Sequence, residues 1–138
     1  MADLSKTETK LIYACSGAAD VGEIADRVAR RLRNECAVGM SCLAGIGAGL
    51  SGYIQSAKGV DVNITIDGCK IGCAKITLEK IGVTPTSYIL TDMGLVKGET
   101  PVTEKIIAQM SEKIKNTQDT PVLPIQMGKG GCSCGGKC

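Results

Sequence analysis

Hydrophobic and polar positions switch between two periods along this chain. Lys10 to Ala14 is a short apolar run and reads as a strand. From Asp20 onward, Ile24, Val28 and Leu32, with Ala25 and Ala29, trace the stripe of an amphipathic helix ending near Glu35. Asp20 with Glu23 three residues later predicts a capping box at its start. Ala37 to Met40 predicts a brief strand, and Leu43 to Ser56 a Gly-rich helix. Val60 to Ile66 is rich in β-branched residues and predicts a buried strand. A helix over Lys70 to Ile81 follows, with Gly82 at its C′ position. Ser87 to Thr91 predicts a fourth strand. Thr100-Pro101 opens a last helix with Pro at N1, and Val102, Ile106, Ile107, Met110 and Ile114 share one face.

The order β, α, β, α, β, α, β, α predicts an α/β fold. We expect a three-layer sandwich with a small, mostly parallel sheet of about four strands and helices on both faces. Residues 1–9 form a polar N-terminal segment, and residues 10–116 a single α/β metal-binding domain. Residues 117–138 form an extended linker, bracketed by Pro121 and Pro124, and a flexible tail rich in Cys and Gly.

Composition narrows the function. The 138 residues suit one domain with a real core, but there is no Phe or Trp, so Ile, Val, Leu, Ala and Met must fill it. The N-terminus carries no signal-peptide core. The longest apolar stretch, Leu43 to Leu50, is more than half Gly and Ala and far short of the ~20 residues of a membrane span. We therefore expect a cytoplasmic protein with no membrane partner. Arg27, Arg30, Arg31 and Arg33 form a basic run without interleaved aromatics, which reads as a solvated helix face rather than a nucleic-acid stripe. The chain has no histidine, which excludes His-ligated metal and imidazole bases. Eight cysteines in a reducing compartment point to metal or redox chemistry rather than disulfides.

The most informative stretch is Asp67-Gly68-Cys69 with Cys73, between a predicted strand and a predicted helix. Four residues apart, the two thiols fall on one face of that helix's first turn, where free N–H groups favour thiolate. Cys15 and Cys42 also follow predicted strands. In a parallel sheet all four would reach the C-terminal edge, where open α/β folds bind ligands. Zinc takes four soft ligands in a tetrahedron, so the expected site is Zn²⁺ on Cys15, Cys42, Cys69 and Cys73. Another thiophilic metal or an iron–sulfur cluster fits the same donors. Asp67, Asp92 and Lys97 are candidates to surround the metal, Asp67 and Asp92 being equally readable as caps. Cys36, at the end of the first helix, reads as a core residue. Cys132, Cys134 and Cys138 make a C-x-C-x3-C tail, an accessory metal or redox arm.

Other motifs lack their context. Gly47-Ala48-Gly49-Leu50-Ser51-Gly52 fits G-x-G-x-x-G but does not lie between a clear strand and a helix. Cys15-Ser16-Gly17 resembles the start of a phosphate-binding nucleophile loop, but the nearest arginine is Arg27. No Cys-x-x-Cys is present.

Cys15-Ser16-Gly17, Met40-Ser41-Cys42-Leu43-Ala44, Ile66-Asp67-Gly68-Cys69 with Cys73, and Thr91-Asp92-Met93-Gly94 with Lys97 occur in the order seen in the DGC domain family, which this chain resembles from about Lys10 to Lys97 and more loosely to Asn116. That prokaryotic family is described as zinc-binding. The resemblance carries its four suspected ligands onto Cys15, Cys42, Cys69 and Cys73. It implies metal handling or sensing and supplies no reaction. The alternative reading is a thiol redox enzyme using a low-pKa Cys69 or Cys15, resolved by a second cysteine.

Overall fold

The computed structural model describes residues 8–117. The polar segment read at residues 1–9 lies almost wholly outside the described residues, and the tail with Cys132, Cys134 and Cys138 lies wholly outside them. Four parallel strands form one sheet in the order β2-β1-β3-β4: β1 Lys10–Ala14, β2 Gly39–Met40, β3 Val62–Asp67 and β4 Thr86–Ile89. Between them run α1 Asp20–Glu35, α2 Leu43–Gly47, α3 Ser51–Gly59 and α4 Cys73–Lys80. A 3-10 turn, Leu90–Met93, follows β4, and α5 Glu104–Lys115 closes the domain.

From β1 the chain steps outward to β2, then returns past β1 to β3 and continues to β4. Crossovers of one hand place helices on opposite faces when the direction of stepping reverses. Accordingly α1 and α5 pack on one face, through Ile24, Val28, Leu32, Ile107, Met110 and Ile114. On the other face α2, α3 and α4 pack through Ile46, Ala57 and Leu78 beneath Tyr13. The expected three-layer sandwich is what forms.

Strand β3 shows how sequence places the chemistry. Ile64 and Ile66 point into the α1–α5 core. The period of two turns Asn63, Thr65 and Asp67 to the opposite face. There Asn63 donates to the Ala57 carbonyl, and Asp67 meets the start of α4.

Several boundaries depart from the sequence reading, each for a local reason. The Leu43–Ser56 helix is two helices, broken where Gly49 takes φ +73°. Helix α4 begins at Cys73 rather than Lys70, because Gly72 sits in the left-handed region and ends a tight turn (Gly72 N to Cys69 O, 3.1 Å). Cys69 and Cys73 therefore do not share a helix face; Cys69 lies in the turn that precedes the helix. The capping box at Asp20 is absent: Ala19 is the N-cap, and Glu23 pairs with Arg27. Thr103, not the Thr100-Pro101 pair, caps α5, accepting from Ile106 N at 3.3 Å. Gly82 does follow α4 at C′, with φ +82°. No helix among the described residues is long and apolar enough to cross a membrane.

Candidate functional site

The connections leaving β1 and β3 step in opposite directions across the sheet, so the crevice beyond their carboxyl ends is the topological switch point, the usual ligand position in open α/β sheets. Cys15 follows β1 there, and Asp67-Gly68-Cys69 straddles the end of β3. Cys42 follows β2 on the same edge as the N-cap of α2, and Cys73 opens α4. The four sequence-predicted thiols thus stand along one edge of the sheet. Cys15, Cys42 and Cys69 are half-buried and Cys73 is exposed. Among the described residues, no three Cys, Asp or Glu side chains are gathered closely enough to form a ready-made metal cage.

Each residue of the Asp-Gly-Cys tripeptide has a distinct task. The Asp67 carboxylate accepts from Ala74 N at 2.7 Å and Lys75 N at 3.1 Å. It thereby caps α4 from the strand end, in place of Gly72, which has no side chain to do so. Burial pushes its carboxyl up, and the two N–H donors pull it back. Gly68 lies against the first turn of α1: a Cβ there would meet the Val21 carbonyl at 2.6 Å. This close approach leaves the Gly68 N–H free to donate to Cys15 Sγ at 3.3 Å. Cys69 Sγ faces the Lys97 ammonium at 3.7 Å.

The turn Cys15-Ser16-Gly17 is anchored on its other side. Ser16 takes φ +49° and donates its hydroxyl to Asp26 Oδ1 at 2.9 Å, while Asp26 also pairs with Arg30. A side chain on Gly22 would strike the Gly17 carbonyl at 2.6 Å, so α1 and the turn are pressed together. Burial raises the Cys15 thiol; N–H groups of Gly17 and Gly68 lower it, and the Asp67 and Cys73 charges raise it. A group that tends to stay protonated is a poor nucleophile, which counts against Cys15 as the attacking redox thiol.

Cys15 and Cys42 share a cleft of about 540 Å³ with Ser16, Ser41, Arg30 and Arg33. Within the basic run, Arg27 pairs with Glu23, Arg30 with Asp26, and Arg31 with Glu35 and Glu104. Asp92 is exposed and reaches Lys70 at 3.8 Å, beside Cys69. Thr91 N bonds Gly68 O at 3.3 Å, which ties the 3-10 turn after β4 to the same loop. Cys36 is buried in the α1–α5 core, as its position suggested.

Sequence reasoning read Asp20 as a helix cap and missed its reach across the fold. Its carboxylate accepts from Val21 N (2.8 Å), Gly98 N (2.9 Å) and Thr100 N (3.1 Å), holding a loop some eighty residues away. No sequence signal distinguishes this role from an ordinary helix-start Asp.

Residues 11–114 match the DGC domain. A Pseudomonas aeruginosa protein named anaerobic and virulence modulator AnvM is 35% identical over 88 residues, covering 63% of this chain and 67% of the relative. No solved structure matches the chain. On the span of the domain match and the identity to this relative, the chain belongs to the DGC domain family.

Proposed function

We propose that this protein binds one zinc ion on the thiolates of Cys15, Cys42, Cys69 and Cys73, and that occupancy of this site gives it a sensing or regulatory role in the cytoplasm. The observation that carries the reading is the Gly68 N–H donating to Cys15 Sγ at the switch point, with the other three thiols on the same sheet edge. The Gly68 N–H offsets part of the burial that otherwise keeps Cys15 protonated, and a bound cation would complete the shift to thiolate, the form that ligates metal. The donor set fits a soft cation: sulfur only, no imidazole in the chain, and an ammonium from Lys97 to offset part of the thiolate charge. Because the thiols are not pre-gathered, metal binding would draw them together, and its free energy would add to folding. The relative is named an anaerobic and virulence modulator, and thiolate sites are chemically sensitive to oxygen.

The test compares wild type with Cys42→Ser and Cys69→Ser, purified without oxygen. Zinc affinity, measured against a chromophoric chelator, should fall by about tenfold or more in both variants. Zinc should raise the melting temperature of the wild type far more than that of either variant. Equal affinities in all three proteins would refute the four-thiolate assignment. The competing reading is a thiol redox enzyme with Cys69 as nucleophile. It predicts a Cys69 that reacts rapidly with alkylating reagent whether or not chelator is present.

A further inference from the structure

Loop 96–100 is clasped at both ends. The Thr100 hydroxyl accepts from Val96 N at 2.9 Å and donates to Val96 O at 2.8 Å, closing the loop on itself. Gly98 turns it with φ +88°. The Asp20 carboxylate then accepts the Gly98 and Thr100 N–H groups and fixes the loop to the first turn of α1. Lys97 lies inside this clasp, between the residue the hydroxyl holds and the first residue Asp20 holds. Its ammonium reaches Cys69 Sγ at 3.7 Å although the side chain is exposed and has many other rotamers available.

We infer that Asp20 is a positioning residue: by clamping loop 96–100 it keeps Lys97 against the Cys69 sulfur, so that this thiol favours negatively charged partners over neutral ones. The inference deepens the proposed site by assigning the source of positive charge at one of its thiols. A lysine on an unanchored loop would spend most of its time in solvent, and its field at the sulfur would be screened. One of the three N–H groups on this carboxylate, Val21 N, belongs to the helix start, where Ala19 offers no capping side chain; the other two, from Gly98 and Thr100, come from the stretch directly after Lys97.

The experiment alkylates the full-length chain, after chelation, with iodoacetate and with iodoacetamide, and reads modification of Cys69 by peptide mapping. The two reagents differ in charge, so their rate ratio at one sulfur reports the local field while any change in thiolate fraction or general exposure cancels. Lys97→Met should lower the iodoacetate preference by about fivefold at low salt, the effect of one partly solvated charge. Asp20→Asn and Thr100→Val should lower it in the same direction, and Asp20→Asn should add nothing in the Lys97→Met background. Lys97→Arg should retain most of the preference. A ratio that Asp20→Asn and Thr100→Val leave at the wild-type value, while Lys97→Met lowers it, would overturn the positioning role. So would a wild-type ratio insensitive to Lys97→Met. Zinc content of the same proteins before chelation is read separately: metal-free wild type would refute the zinc assignment, and the rate ratio would still decide the role of Asp20.

Discussion

Replacing Gly68 with alanine tests whether the close approach of its loop to the first turn of α1 builds the site. The added Cβ would lie 2.6 Å from the Val21 carbonyl carbon and oxygen and 2.8 Å from Gly22 N. All three are backbone atoms of a buried helix turn, so no side chain can swing aside. Ordinary contact starts at 3.4 Å, so the loop and α1 must part by about 0.8 Å. Overpacking of this kind costs roughly 1–3 kcal/mol. The same movement stretches the 3.3 Å bond from Gly68 N to Cys15 Sγ, and losing it adds on the order of 1 kcal/mol. A loss of roughly 2–4 kcal/mol would lower the melting temperature of a domain this size by ~10 °C or more. The assay is thermal and urea unfolding of chelator-treated protein, so that metal does not mask the change. Gly17→Ala is the control: a Cβ there meets nothing within 4 Å, and its cost should stay within about 0.5 kcal/mol. Equal stability of Gly68→Ala, Gly17→Ala and wild type would refute the argument that Gly68 is required by contact with α1.

Further outcomes follow from named contacts. Asp67→Ala removes the acceptor of the Ala74 and Lys75 amides, costs about 1–2 kcal/mol, and speeds hydrogen exchange at those amides; unchanged protection there would contradict the capping role. The three N–H groups on Asp20 hold its carboxyl below the ordinary 3.8. Its contribution to stability is therefore full above that value and is lost as the pH falls through the lower folded value. Acid unfolding of Asp20→Asn should accordingly lack part of the wild-type dependence below about pH 4; superimposable curves would contradict it. Cys36, 1% exposed in the core, should resist alkylation in the folded chain until unfolding, while exposed Cys73 reacts in the metal-free protein; early labelling of Cys36 would show that the α1–α5 core is not as described.

The strands were legible because their signals are local. Lys10 to Ala14 is apolar and brief, and the β-branched residues of Val62–Asp67 leave no helical alternative, so both strands were read within two residues. The candidate thiols followed from these strands, since in a parallel sheet whatever follows a strand lies on one edge. Leu43 to Gly59 was harder: Gly and Ala blur the contrast on which periodicity depends, and Gly49 divides what reads as one helix. The pairing of Cys69 with Cys73 on one helix face failed because a left-handed Gly72 starts the helix late, and glycine does not announce which sign of φ it will take. The roles of Asp20 and Gly68 were illegible in principle. Each depends on a backbone partner distant in sequence, Gly98 and Thr100 for one and Val21 for the other, and backbone atoms leave no mark in the sequence.

The central claim is a thiolate metal site in the folded domain. The most direct measurement is zinc content by elemental mass spectrometry, on the full-length chain and on a chain truncated after Gln126, both purified without oxygen. The account predicts about one zinc per chain in both proteins, bound by the four thiols at the sheet edge. Zinc present in the full-length chain and absent from the truncated one would contradict it by moving the site to the Cys132, Cys134 and Cys138 tail. Absence from both would contradict it outright.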